Sequence, residues 1–446
     1  MQTRFTPAQL EDPDLREADR ILRACVHCGF CLATCPTYLL TGDELESPRG
    51  RIYLLKDMLE TGRPATPEIT RHVDSCLSCL SCQTTCPSGV NYMHLVDMGR
   101  ARIEETGRRR FADLLVRRLL ARVLPHDSLL RAALAAGRLA RPLATLLPAR
   151  LRAALDLLPV AAAAAPDASS FNRPGVFPAE GARRMRVALL SGCVQKTLGP
   201  DINAATIRLL TRHGAEVVVP GAAECCGALV HHLGEREAAL RSARANVRAW
   251  TRAIGEGGLD AVVCNASGCG TMVKDYGFLL RSDPALADKA ARISELACDV
   301  SELVRELALN APRPPRKLAV AYLSACSMQH GQRLHEFPMA LLAQAGFDLK
   351  PIPDPHLCCG SAGTYNVLQP RAAAELGRRK AESIGGVGAQ AVATGNIGCM
   401  VQIARYTTLP VVHTVELLDW ATGGPEPRAL ASPQGRGTGP AARAPD

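Results

Sequence analysis

The strongest constraint in this sequence is a cysteine spacing that occurs twice near its start. The first run reads Cys25-x2-Cys28-x2-Cys31-x3-Cys35-Pro36, and the second Cys76-x2-Cys79-x2-Cys82-x3-Cys86-Pro87. Three thiols at three-residue steps wrap one side of a small body, and the proline after the fourth ends the local turn and re-aims the chain. A cubane cluster needs four soft thiolates around it, so two such runs predict two [4Fe–4S] clusters. Zinc is the competing occupant, but it prefers paired Cys-x2-Cys ligands and fits two runs of four poorly. The chain opens on polar residues with no apolar signal region. A cytosol-facing protein with 18 cysteines is expected to spend them on metal, not on disulfides.

The spacing is that of bacterial ferredoxins, in which the fourth cysteine of one run serves the other cluster. That rule groups Cys25, Cys28, Cys31 and Cys86 on one cluster and Cys76, Cys79, Cys82 and Cys35 on the second. The alternative, in which each run closes its own cluster, uses the same eight residues. Two clusters in one small region make an electron wire, not a site that handles substrate, and no catalytic residue is expected in this chain. The insertion between the runs carries a helix-start signal at Ser47-Pro48, then Ile52, Leu55, Met58 and Leu59 at helical spacing. It points to a helical form of the two-cluster domain.

A second cysteine population begins after residue 190 and repeats. Cys193 is followed by Cys225-Cys226-Gly227, and Cys326 by Cys358-Cys359-Gly360, with 31 residues in each gap. Cys269 and Cys399 then come after β-like runs at equivalent places. Two tandem copies with alternating strand and helix patterns predict a pair of α/β domains related by a pseudo-two-fold. Their shared cysteines, Cys193, Cys225, Cys226 and Cys269 with Cys326, Cys358, Cys359 and Cys399, are expected at strand ends, where open α/β sheets place ligands. They are candidates for an additional iron–sulfur cluster or other metal. Cys264 and Cys298 lack a counterpart and read as core cysteines, and none of His231, His232, His330 and His413 is assigned as a ligand.

The fold class expected is therefore α+β multidomain. The layout is a helical ferredoxin-type domain over 1–110, an Arg-rich helical connector and linker over 111–182, cysteine-rich copies over 183–312 and 313–422, and a disordered tail over 423–446. Between Arg100 and Arg152 stand 13 arginines against four acids, an excess equal to the net charge of the whole chain, +9. That stretch reads either as the solvated side of Ala/Leu/Arg helices or as a docking face for an acidic subunit or anionic membrane. Its longest uncharged run is about half the ~20 residues that a bilayer demands, so contact with a membrane would be peripheral. The expected location is the cytoplasm, with the cytoplasmic face of the inner membrane as the alternative. No G-x-G-x-x-G or P-loop is present, so a flavin or nicotinamide would ride on another chain. No nucleic-acid module is visible.

Cys25-Val-His-Cys-Gly-Phe-Cys-Leu-Ala-Thr-Cys-Pro-Thr-Tyr38, Gly42-Asp-Glu-Leu-Glu-Ser-Pro-Arg-Gly-Arg-Ile-Tyr53, Asn265-Ala-Ser-Gly-Cys-Gly270 and Cys358-Cys-Gly-Ser-Ala-Gly-Thr-Tyr365 together resemble the iron–sulfur subunits of glycolate oxidase. The resemblance covers roughly residues 1 to 422. It implies a subunit that takes electrons from FAD on a partner chain, where glycolate becomes glyoxylate, and forwards them to a respiratory acceptor of the quinone kind. The whole would be an oxidoreductase acting on CH–OH donors with a non-nicotinamide acceptor. Related subunits serving lactate, glycerol 3-phosphate or a heterodisulfide are the alternatives. Ala266 and Asn396 stand where heterodisulfide reductases carry a further cysteine, so each copy offers four shared thiols instead of five.

Overall fold

Helix signals in the N-terminal third translate directly into structure. The computed structural model describes residues 1–158, 168–310 and 312–431. Ser47 caps the helix Pro48–Thr61 by accepting a hydrogen bond from the Gly50 N–H at 3.0 Å, Pro48 opens it, and Gly62 ends it in a left-handed conformation. Its buried residues Ile52, Leu55, Met58 and Leu59 pack with the helices Pro13–Ala24, Pro67–Asp74 and Tyr92–Thr106 around one core. Three connector helices come next, Phe111–Val123, Asp127–Ala140 and Ala149–Asp156. Of the linker expected from Pro159 to Gly181, residues 159–167 lie outside the described residues. The chain beyond them is structured: a short helix, Ala168–Phe171, leads into the first strand.

Among the described residues, the chain beyond the connector contains nine strands. They are β1 (Gly175–Phe177), β2 (Met185–Leu190), β3 (Ala215–Val219), β4 (Ala261–Cys264), β5 (Ala297–Asp299), β6 (Ala319–Tyr322), β7 (Asp348–Lys350), β8 (Ala391–Thr394) and β9 (Val411–His413). One sheet has the order β1-β3-β2-β4-β5 and the other β7-β6-β8-β9. Every pairing is parallel except β1 with β3, which is antiparallel at the edge. With β1 set aside, the two orders are the same, so the cysteine repeat is also a repeat of topology. Central strands such as β4 are buried at every position, as a sheet covered by helices on both faces requires. Both copies close on a short strand and a capped helix. Asp299 and Glu302 form a capping box on Val300–Leu307, as His413 and Glu416 do on Thr414–Ala421.

The sheets are distinct but their packing is not. Val187, Leu209 and Val263 of the first copy share one apolar core with Val320, Leu342 and Leu418 of the second. Arg208 and Arg212 reach across to the buried Asp419 at 2.5 and 2.9 Å. The tail expected to be disordered is described as far as Ala431. There the helix Arg428–Ala431 brings Ala429 and Leu430 against that core, and Glu426 pairs with Arg316 at 2.8 Å. Residues 432–446 lie outside the described residues. No described helix is long and apolar enough to cross a membrane.

Candidate iron–sulfur sites

The two N-terminal runs fold as matching loops. His27 and Gly29 flank Cys28 in left-handed backbone, and Ser78 and Leu80 flank Cys79 in the same way. This curls each run around a void, and Leu80 accepts a conformation that costs an L-residue about 1–2 kcal/mol. Cys25, Cys28, Cys31 and Cys86 line one cavity. Cys35, Cys76, Cys79 and Cys82 line a second, and Cys82 also borders the first. The fourth cysteine of each run thus stands with the first three of the other. Burial raises Cys31 to about 11 and pushes Cys79 and Cys82 well above the ordinary thiol value. Such thiols give up their protons when a cation supplies the missing charge, which the irons of a cluster do.

Geometry also separates cluster from zinc. Around one tetrahedral zinc, with Zn–S near 2.3 Å, the sulfurs would sit about 3.8 Å apart. Among the described residues, no three cysteine sulfurs lie within 4.8 Å of one another.

Around the second void lies a buried polar group that the cysteine spacing did not reveal. Arg51 is 1% exposed. It donates to Glu46 Oε2 at 2.7 Å, Thr37 Oγ1 at 2.9 Å, Ser75 Oγ at 3.0 Å and the His72 carbonyl at 2.6 Å. His72 Nδ1 meets Glu46 Oε1 at 2.7 Å. The Arg51 Nη1 lies 3.9 Å from Cys35 Sγ, and the Tyr92 hydroxyl lies 3.9 Å from Cys76 Sγ. Burial works against the Arg51 charge, but Cys76, Tyr92, Cys35 and Glu46 hold it protonated. The signal was within the segment Glu46-Ser-Pro-Arg-Gly-Arg51, but its use depends on residues some 25 positions away.

The second population gathers at one edge of the sheets. Cys193, Cys225-Cys226 and Cys269 come after the carboxyl ends of β2, β3 and β4; Cys326, Cys358-Cys359 and Cys399 come after those of β6, β7 and β8. Parallel strands put all these loops on the same side, which explains why residues so far apart in sequence meet. Cys193 and Cys225 are 3.2 Å apart. Their hydrogen bond, then burial, raises Cys193, and the same bond lowers Cys225. In the other copy, contact with Cys326 and Cys359 raises Cys358. The Gly227 and Gly360 N–H groups point at Cys225 and Cys358 Sγ at 3.5 and 3.4 Å. All of these cysteines except Cys225 border one cavity of about 500 Å³, whose wall also includes Cys76 and Cys79 of the second N-terminal site. Leu77 packs against Cys358 and Tyr365 there. Cys264 is buried in β4 and Cys298 lies in β5, and neither borders that cavity. The histidines have protein partners: His231 and His232 face Asp97, His330 meets Thr84, and His413 caps its helix.

Comparison with known proteins agrees with this geometry. The 4Fe-4S dicluster domain family matches residues 21–90, and the cysteine-rich domain family matches 187–274 and 320–404. A solved structure, that of a hypothetical protein from Helicobacter pylori, shares the fold at a TM-score of 0.52 and 10% identity, covering 96% of this chain and 75% of its own. Lactate utilization protein A of Bacillus pumilus is 26% identical over 53% of this chain and 99% of its own length. The probable glycolate oxidase iron-sulfur subunit of Bacillus subtilis is 31% identical over 85% of this chain and 87% of its own. The glycolate oxidase iron-sulfur subunit of Escherichia coli K12 reaches 43% identity over 94% and 99%. With both cysteine populations inside the matched regions and nearly the full length aligned, the chain belongs to the family of glycolate oxidase iron–sulfur subunits.

Proposed function

We propose that this chain is the electron-transfer subunit of a glycolate-oxidising complex, with FAD on a partner chain and a respiratory quinone as acceptor. Glycolate would lose a hydride from its α-carbon to the flavin and leave as glyoxylate. When bound, [4Fe–4S] clusters supply one-electron carriers between a two-electron donor and the acceptor. Cys25, Cys28, Cys31 and Cys86 would hold one cluster, and Cys35, Cys76, Cys79 and Cys82 the other. The observation that carries this reading is the parting of eight thiols, four and four, around two adjoining cavities. The two cysteine-rich copies, taken as a pseudo-two-fold pair, would hold further iron through their four shared thiols each. Reconstituted with its flavin chain, the complex should oxidise glycolate faster than lactate or glycerol 3-phosphate; preference for either of those would reassign the donor.

Iron and sulfide content of anaerobically prepared protein tests the cluster count. Two cubanes account for about eight irons. We expect more than eight, falling when Cys225→Ser or Cys358→Ser is introduced. Eight irons insensitive to both changes would confine the metal to the N-terminal region.

The first site also suggests where the flavin chain docks. Cys28 is exposed, and beside it Val26 and Phe30 stand 67% and 64% exposed. Large apolar side chains in solvent next to a redox site fit the centre of a protein interface. Phe30→Asp should weaken capture of the flavin chain at least tenfold in a binding titration, about 1.4 kcal/mol. Unchanged capture would move the docking face elsewhere.

A further inference from the structure

The cavity of about 500 Å³ is not walled by cysteine loops alone. Its other wall is the connector: Leu120 and Leu124 from the first helix and its end, Leu130 and Leu134 from the second, and Leu155 and Leu158 from the third and its end. A cavity of this size, apolar on one side and bordered by cysteine thiols on the other, has room for a small molecule on its apolar side, beside any iron that the thiols hold. On the cysteine-rich side, a polar group at the end of the helix Ala228–His232 is placed to orient a ligand. His232 borders the cavity, and its Nδ1 meets Asp97 Oδ1 at 3.2 Å, which turns Nε2 into the ring's outer nitrogen. The neighbouring Arg100 and Arg117 are already engaged, with Cys76 O and Ser78 Oγ and with Asp74.

The outer side of the same helices is unusual in the opposite sense. Phe111, Leu115 and Leu139 on these helices are 80%, 56% and 83% exposed, and Leu143 and Leu146, in the turn Arg141–Leu146 between the second and third, are 57% and 79% exposed. These residues lie among the arginines that account for the net charge of the chain. Leucine and phenylalanine mixed with arginine on a helix surface suit the headgroup region of an anionic bilayer, where the apolar side chains sink in and the guanidinium groups meet phosphate. A soluble acceptor would need no such surface.

We propose that the cavity between the connector helices and the two cysteine-rich copies binds a lipid-soluble quinone, with the connector lying on the membrane from which the quinone comes. This rests on the reading that a quinone is the acceptor, and adds where it binds. The ring occupies the cavity with one carbonyl oxygen toward His232 Nε2, and the prenyl tail leaves between the connector helices. There the quinone takes two electrons, released by oxidation of the hydroxy acid, and two protons, drawn from water by way of His232, and departs as quinol.

A photoreactive azidoquinone, added to the complete complex on vesicles containing anionic phospholipid, tests this directly. Mass spectrometry should find the label on residues 119–134 or 154–158 of this chain, and excess short-chain quinone should abolish it. Leu134→Trp, which fills the cavity away from the cysteines, should keep the iron and sulfide content, lose most of the label and raise the KM for quinone about tenfold or more. Ala133→Phe serves the same purpose should the first variant fail to accumulate. His232→Asn should lower kcat for quinone more than it changes KM, as expected for a group that orients and protonates the ring. Label on another chain, or an unchanged KM in a filled cavity, overturns the site. A wild-type complex that passes electrons from glycolate to a soluble dye but to no quinone overturns instead the reading of the acceptor.

Discussion

Replacing Arg51 with methionine is expected to cost the N-terminal region about 3–5 kcal/mol, the usual penalty for removing one partner of a buried ion pair. A domain's total stability is about 5–15 kcal/mol, so the loss approaches unfolding. The reason is arithmetic in hydrogen bonds. Arg51 satisfies Glu46, Thr37, Ser75 and the His72 carbonyl together, and Glu46, Thr37 and His72 are buried, so little water can replace it once it is gone. Denaturant titration under anaerobic conditions reads the effect. Adding Glu46→Gln to the methionine variant removes the stranded carboxylate charge and should restore a good part of the loss. If the single and double variants were equally unstable, the ion pair would not be the source. The same substitution has an electronic consequence. The guanidinium is a buried positive charge beside Cys35, and positive charge favours the reduced, more negative state of a cluster. A redox titration should therefore show one of the two N-terminal potentials falling and the other nearly unmoved.

The parts of this structure that can be read along the chain are those whose causes are local. Ser47, Pro48 and Gly62 mark a helix because capping and proline geometry act within one turn. The cysteine spacing reveals the cluster loops because the thiols must reach one small body. The two CCG triplets, set 31 residues from the cysteine before them, disclose a repeat, and the repeat implies one topology used twice. What escaped was decided over long distances. β5, β7 and β9 are three residues each, too short for a periodic pattern, and exist because a parallel neighbour pairs with them. β1 lies where a linker was expected, held by antiparallel pairing to Val217, Val218 and Val219. The joint core of the two copies, the Arg51 group and the cavity beneath the connector each depend on residues brought together only by the fold. The connector shows the limit most clearly. Its Ala/Leu/Arg composition suits a solvated helix and a membrane-facing one equally, and the sequence does not tell which of its leucines wall a cavity and which stand exposed.

Cys86→Ser and Cys35→Ser are expected to remove different clusters, and which one each removes decides how the chain is wired. If ligation crosses between the runs, Cys86→Ser destroys the site completed by Cys25, Cys28 and Cys31, and Cys35→Ser destroys the one beside Arg51. Each should lose roughly four irons of the N-terminal complement. The geometry favours crossing. Cys35 lies at the start of the helix Pro36–Thr41 and faces the void lined by Cys76, Cys79 and Cys82. Cys86 ends the helix Ser81–Thr85 and turns toward Cys25, Cys28 and Cys31. Iron counting alone cannot separate the two wirings, because each substitution removes one cluster under either. The Arg51→Met shift can, since Arg51 borders the void of Cys76, Cys79 and Cys82 and so labels their cluster by its potential. Crossed wiring requires that the shifted signal survive in Cys86→Ser and vanish in Cys35→Ser. The reverse pattern would mean that each run closes its own cluster, and that the cavities join their fourth cysteines in a way the bound clusters do not keep.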